Sequence, residues 1–224
     1  AVAIGSEAGT TSQGQYAVAV GGAAGTSSQG TGAIAIGYVA GSSNQLANAI
    51  AIGSNAAESG QATQSVAIGF AANSTGNNSI GIGTYASAAG INSIAIGYQA
   101  RWTDSDQIIL GNTYHTTIIA GDLTVDKTVK AGTFNATSDY RLKQNIKQIN
   151  LDESNVDNLN PVAYELKQGN QESFGFIAHE LQEHFPSLVS GTKDGENMQS
   201  VNYIGLIAIL TKEIQVLKKK VVRF

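Results

Sequence analysis

Ser138 and Lys143 stand five residues apart in Asn135-Ala136-Thr137-Ser138-Asp139-Tyr140-Arg141-Leu142-Lys143, a nucleophile type beside a base type. A serine hydroxyl attacks poorly until a base takes its proton, and a lysine amine can do so once desolvation favours its neutral form. The spacing allows contact only if the chain turns between the two. A plainer reading makes Ser138 the N-cap of a short helix whose Leu142, Ile146 and Ile149 form one apolar face. Residue types and spacing alone favour the cap.

The remaining chemistry-bearing types are sparse. His179 and His184 flank Glu180 and Glu183 but lie five apart, about 140° around a helix, and His115 stands alone. No metal site is expected. The chain has no Cys, so neither a disulfide framework nor a thiolate site is available. Gly81-Ile82-Gly83 lacks the third glycine of a dinucleotide loop, and no G-x-x-x-x-G-K occurs. No cofactor is expected. Lys218-Lys219-Lys220 with Arg223 most simply complements a helix C-terminus. With a net charge of −4 and a pI near 5.3, neither nucleic acid nor an anionic membrane is an expected partner. No apolar run approaches the ~18 residues of a membrane span. Ala1 opens inside a patterned segment, so the chain reads as the C-terminal piece of something longer.

Two compositions position these residues. Residues 1–105 hold 18 of the 26 Gly and only four charges, Glu7, Glu58, Arg101 and Asp104. There a motif recurs: AVAIG to Gly5, AVAVG to Gly21, AIAIG to Gly37 and Gly53, SVAIG to Gly69, SIGIG to Gly83, SIAIG to Gly97, and a degenerate QIILG to Gly111. The glycine spacings are 16, 16, 16, 16, 14, 14 and 14, which is the signature of stacked repeats. Alternation of β-branched with small residues predicts one strand per coil, with an aliphatic face and a small face. The Gly/Ser/Thr/Asn stretches between strands read as turns, and the small face reads as the one that meets sister chains. Seven coils at ~4.8 Å would make a rod roughly 34 Å long. Recurring Asp for calcium-binding coils is missing, and Thr and Ser in variable turns do not make the flat ladder of an ice-binding solenoid.

The later residues carry ordinary signals. Residues 106–134 read as a β connector with turns at Gly111-Asn112, Gly121-Asp122 and Gly132. Leu159–Lys167 reads as a strand after a Pro turn. Residues 174–186 read as a strand running into an amphipathic helix stopped before Pro186. Ile207, Leu210, Ile214, Leu217, Val221 and Phe224 are spaced 3, 4, 3, 4, 3, a heptad seam. Ile at a with Leu at d ordinarily leans toward two strands, but the longer repeat carries more weight for oligomeric state.

The S-I-A-I-G-x-x-A coils resemble the head repeats of trimeric autotransporter adhesins, which implies a trimeric parallel β-roll, surface display and adhesion for residues 1–105. TSDYRLKQNI, LNPVAYELK, FGFIAHELQEHFPSLV and VNYIGLIAILTKEIQVLKKKV, in that order, resemble the peptidase S74 domain. That domain is the intramolecular chaperone of phage tail spikes and fibres, endosialidases among them, and it also occurs in some large-virus proteins and in the animal myelin regulatory factor. For residues 135–224 this resemblance implies an α+β chaperone domain ending in a coiled-coil helix. It implies that the domain trimerises, guides the upstream β-fibre to fold and then cuts itself off. It places the catalytic Ser–Lys pair on Ser138 and Lys143, with Thr137, Asp139 and Arg141 in the cleavage motif. Cutting at either bond flanking Ser138 stays open.

The expected molecule is a homotrimeric fibre whose partner is itself, with a host receptor or glycan met through the upstream fibre, located on a virion or, alternatively, a cell surface. Two other readings are a trimerisation module that never cuts and an adhesin whose function lies in residues 1–105.

Overall fold

Three residues of Val or Ile alternating with Ala, ended by glycine, are enough for a strand but too few to bury a face unaided, so such strands must stack. The computed structural model describes residues 1–125, 128–151, 156–167 and 172–222, and it divides into two units, Ala1–Val129 and Lys130–Phe224.

In the first unit the eight motif copies form one parallel sheet in sequence order: Val2–Ile4, Val18–Val20, Ile34–Ile36, Ile50–Ile52, Val66–Ile68, Ile80–Ile82, Ile94–Ile96 and Ile108–Leu110. The register is strict, Ala35 facing Ala19 on one side and Ala51 on the other. Each closing glycine permits the next coil to come close. Gly37 has φ +129°, and a Cβ there would lie 2.6 Å from the Gly53 carbonyl oxygen.

The two faces play the opposite parts from those read in the sequence. The small face is turned into the chain's own core: Ala19, Ala35, Ala51, Ala67 and Ala95 are completely buried. A coil of 14–16 residues encloses so little space that only Ala, Gly, Ser and the end of a Gln side chain fit inside. The aliphatic face points outward and stays half-buried or exposed, from Val2 and Ile4 to Ile108 and Leu110. Among the described residues it is therefore the Val/Ile columns, not the alanines, that stay open to solvent.

The stretches between motif strands also differ from the reading as turns. Ser43–Gln45 pairs in parallel with Ser59–Gln61, and Ser87–Ala88 pairs with Asn73–Ser74 and Arg101–Trp102, while Thr11, Ser27 and Ser43 form bridges in the same line. From the third coil on these are second strands, and the first two coils have isolated bridges at Thr11 and Ser27 in their place. What stabilises them is a column of glutamines at period 16. Gln29, Gln45 and Gln61 are buried, and their Nε2 atoms donate to the carbonyls of Val18, Ile34 and Ile50 at 2.7–2.8 Å. Gln29 also donates to Gln45 Oε1, and Gln45 to Gln61 Oε1, at 3.1 and 3.0 Å. In the first shorter coil Ser74 Oγ takes over the job, donating to the Val66 carbonyl at 2.7 Å. Gln45→Ala should remove the buried donor to the Ile34 and Ala49 carbonyls and to Gln61 Oε1, together with the oxygen that accepts from Gln29 Nε2, costing about 1–3 kcal/mol. A urea midpoint for residues 1–129 equal to that of the unaltered sequence would contradict this assignment.

The segment read as a β connector contributes one strand, Ile108–Leu110, and it pairs with Ile94–Ile96 as the last rung of the sheet. Among the described residues 111–134 there is no further strand. Among the described residues no strand pairs with this segment, and a lone extended segment gains too few hydrogen bonds to form a ladder.

In the second unit Val162–Glu165 and Glu172–Gly175 form an antiparallel pair. Helix α1 (Ala178–His184) follows, then a 3-10 turn at Pro186–Leu188 and a short antiparallel pair, Val189–Ser190 with Ser200–Val201. Helix α2 (Tyr203–Val221) comes next, N-capped by Asn202 Oδ1 accepting from the Gly205 amide at 3.1 Å. Lys218, Lys219 and Lys220 occupy its last turn, where cations suit the helix dipole. The core is Leu181, Phe185, Leu188, Val189, Leu206 and Ile209. Burial of each large side chain there contributes about 2 kcal/mol.

Helix α2 thus spends Leu206 and Ile209 on its own unit. The heptad positions Ile207, Leu210, Ile214, Leu217 and Val221 are all exposed, between 47% and 64%. Phe224 and Arg223 lie outside the described residues. Among the described residues no helix is long and apolar enough to cross a membrane.

Candidate active site

Residues 135–150 do not form the helix that a Ser138 cap would begin. Asn145 takes a left-handed conformation, φ +54°, which Asn tolerates but which stops a helix two residues after Lys143. What remains is a single 3-10 turn, Tyr140–Leu142. Its N-cap is Asp139, not Ser138, and the side chain of Asp139 accepts from the Arg141 amide at 2.8 Å. Leu142, Ile146 and Ile149, read as an apolar face, are exposed instead at 73%, 72% and 38%.

Released from capping, Ser138 faces Lys143. The turn is closed by the Leu142 amide donating to the Asp139 carbonyl at 3.2 Å and the Lys143 amide donating to the Tyr140 carbonyl at 3.0 Å. It doubles the chain back so that Lys143 Nζ lies 2.5 Å from Ser138 Oγ and 3.0 Å from the Ser138 carbonyl oxygen. A base within 2.6–3.2 Å of a hydroxyl, or slightly closer, has the reach that proton abstraction requires. An ammonium donates to that oxygen; the neutral amine would accept from it. Both residues are exposed in the single chain. Thr137, the residue on the other side of the Ser138 nitrogen, is exposed as well.

Asp139 and Arg141 form the ion pair of this segment. Arg141 Nε donates to Asp139 Oδ1 at 2.9 Å and Nη2 to Oδ2 at 2.8 Å. The Arg141 guanidinium, and after it the Arg141 amide, hold the Asp139 carboxyl below the usual carboxylate range, and the same contact raises Arg141 above its ordinary value. A carboxylate depressed in the folded state keeps its contribution at neutral pH and loses it only as the pH falls through that lowered value, while Arg141 stays charged throughout. Arg141 is exposed and Asp139 only half-buried, so the pair acts on local geometry more than on global stability. Its types were legible in the sequence; the sign that Asp139 would cap and fork at once was only its position two residues before an arginine.

The other sequence candidates are not gathered here. His179 and His184 sit at opposite ends of α1, each half-buried. No group of three His, Cys, Asp or Glu side chains among the described residues could hold a metal ion. Tyr203, unremarked in the sequence, stacks on Phe176 at 6.5 Å between ring centroids, and its hydroxyl accepts from the Phe176 amide at 3.3 Å. It ties the start of α2 to the strand before α1.

Residues 138–190 match the family model of the chaperone of endosialidase, Peptidase_S74, and the match begins on Ser138 itself. Helix α2 lies beyond the matched stretch. Residues 12–40, 61–86 and 74–100 match the head domain repeat of YadA. The unmatched coil between them, residues 41–60, continues the same parallel sheet without a break in register. No curated protein and no solved structure gives a significant match.

Proposed function

We propose that the chain is part of a homotrimeric fibre or adhesin in which the second unit acts as an intramolecular chaperone. It brings three chains together, guides the β-roll to assemble and then releases itself by Ser–Lys autoproteolysis beside Ser138. The observation that carries the reading is the 2.5 Å approach of Lys143 Nζ to Ser138 Oγ at the first residue of the chaperone match.

Two unpartnered apolar surfaces support the trimer. The Val/Ile columns of the roll and the heptad positions of α2 both point away from their own units. Contiguous exposed apolar surface of this kind marks association. Parallel β-fibres have high contact order and assemble slowly, with exposed edges that invite misfolding. A domain that associates first sets the register and raises the local concentration of the three chains. Its later removal leaves a fibre held by its unfolding barrier.

The chemistry balances within the chain and one water. Lys143 takes the Ser138 hydroxyl proton as Oγ attacks a neighbouring carbonyl carbon. Attack on the Thr137 carbonyl closes a five-membered ring, breaks the Thr137–Ser138 amide, returns the proton to the freed Ser138 nitrogen and leaves an ester on Oγ. Water then hydrolyses that ester to a Thr137 carboxylate. Attack by Ser138 on its own carbonyl would close a four-membered ring, so cutting after Ser138 needs a hydroxyl from another copy. Ser138 and Lys143 are both exposed in the single chain, and in this reading cutting follows assembly, so that the chaperone acts before it is released. No cofactor takes part. The setting is an extracellular or virion-borne fibre, and a host receptor or glycan is met through the fibre rather than the chaperone.

Light scattering should give about 69 kDa for the uncut assembly, three times the 23.1 kDa chain. A stable monomer would remove the architecture. Residues 1–105 produced alone should assemble poorly, and efficient unaided trimerisation would remove the chaperone role. Intact mass of the purified protein reads out which bond beside Ser138 is cut.

A further inference from the structure

We propose that Asp139 and Arg141 work as one positioning unit that holds the turn presenting Lys143 to Ser138, an inference that rests on the Ser–Lys reading above. Neither residue touches Ser138 Oγ or Lys143 Nζ through any hydrogen bond seen in the structure, and neither is needed to close the ring at the Thr137 carbonyl. Their contribution is geometric.

The need for such a unit follows from the size of the element. Fully extended, five residues span roughly 16 Å, beyond what a lysine side chain bridges back to the start. One turn of 3-10 helix, with a rise near 2.0 Å per residue, brings the two ends within reach. A solitary turn fixes several dihedrals for one or two hydrogen bonds and is marginal unaided. Here it has two, from the amides of Leu142 and Lys143, both in solvent. It gains nothing from packing, because Tyr140 and Leu142 are 74% and 73% exposed.

The Asp139 carboxylate supplies what is missing. It makes three bonds to Arg141, from the amide, Nε and Nη2, at 2.8, 2.9 and 2.8 Å. The amide bond is an N-cap of the turn; the other two form a planar fork that fixes the side chain of its middle residue. Since Arg141 is the centre of the turn, holding it against Asp139 sets the direction in which residue 143 leaves. A lysine could supply the charge at 141 but not the planar two-nitrogen fork. The same two residues could instead serve only general stability, or Asp139 could matter merely by flanking the cut bond. Coupling between them separates these possibilities.

The experiment is a cleavage time course of the full chain made by cell-free synthesis, read on denaturing gels. It compares the unaltered chain with Asp139→Ala, Asp139→Asn, Arg141→Ala, Arg141→Lys and the Asp139→Ala/Arg141→Ala pair. Assembly of each is measured by light scattering on a Ser138→Ala background. Asp139→Ala, Arg141→Ala and Arg141→Lys should each slow cleavage about tenfold with trimer formation unchanged. Asp139→Asn, which keeps a cap but loses the ionic fork, should lie between them and the unaltered chain. The double variant should be no slower than the slower single, because one unit can be lost only once. Multiplying effects in the double variant, rescue by Arg141→Lys, or a loss of cleavage that merely follows loss of trimer would overturn the positioning role. Unaltered rates in the single variants, while the Ser138→Ala chain stays whole, would overturn it and leave the dyad standing. An unaltered chain that never cuts would remove the dyad reading and this one with it.

Discussion

Ser138→Ala is expected to leave the chain in one piece, while the unaltered chain separates near residue 138 into fragments of roughly three fifths and two fifths of its 23.1 kDa. Without Oγ there is no nucleophile to form the ester, and the remaining groups of the turn, Asp139 tied to Arg141, offer no substitute. Lys143→Ala should abolish or greatly slow cutting, since its Nζ is the group within 2.5 Å of the hydroxyl. Lys143→Arg should not rescue, because a guanidinium does not give up its proton near neutral pH. All three variants should still trimerise, since Ser138 and Lys143 lie outside the buried core of their unit and outside the α2 heptad. Denaturing gels of wild type and variants decide the matter. A Ser138→Ala chain that still splits at this position would return Ser138 to an ordinary surface residue.

The second large effect concerns the outer face of α2. Ile207→Asp with Ile214→Asp is expected to convert the assembly to monomers and to stop cleavage with it. Both side chains are more than half exposed in the single chain, 62% and 54%, so the substitutions leave the core around Leu206 and Ile209 untouched. In a trimer the same positions would be desolvated, and an unpaired buried carboxylate there costs several kcal/mol. Circular dichroism should show the second unit still helical while light scattering shows one chain per particle. Retained trimers that still cut would mean the seam lies elsewhere. Loss of trimers with cleavage intact would uncouple the two activities.

How much of this was legible beforehand depended on the kind of signal. The eight-rung sheet was readable because its evidence is repetition: a glycine every 16 or 14 residues and a three-residue β motif before each. A strand within 159–167, α1 ahead of Pro186 and the long terminal α2 were readable from period and punctuation, whereas the antiparallel pairing of 162–165 with 172–175 was not read. The faces of the stacked coils and the stretches between their strands were misread, for related reasons. The alternation of Ile with Ala showed that the faces differ, but nothing local says which one turns inward. That is decided by the width of the coil, a property of the closed structure, which leaves room for Ala35 and Ala51 and none for Ile34. The second strands were hidden because Ser, Asn and Gln carry turn propensity, and only stacking gives Gln29, Gln45 and Gln61 the carbonyls they bind.

At the site the sequence by itself supplied the residue types, Ser138, Asp139, Arg141 and Lys143, and the five-residue interval. Those determined that a proton transfer was chemically available. Whether it was geometrically available turned on one residue's conformation and one pair's contact. Asn145 in the left-handed region ends any helix there, and Asp139 rather than Ser138 caps the turn that remains. A cap and a nucleophile draw on the same hydroxyl, and sequence cannot say which partner it meets. Tertiary structure decided it, because a carboxylate held by three bonds to Arg141 is the better cap, and that leaves the Ser138 oxygen to Lys143.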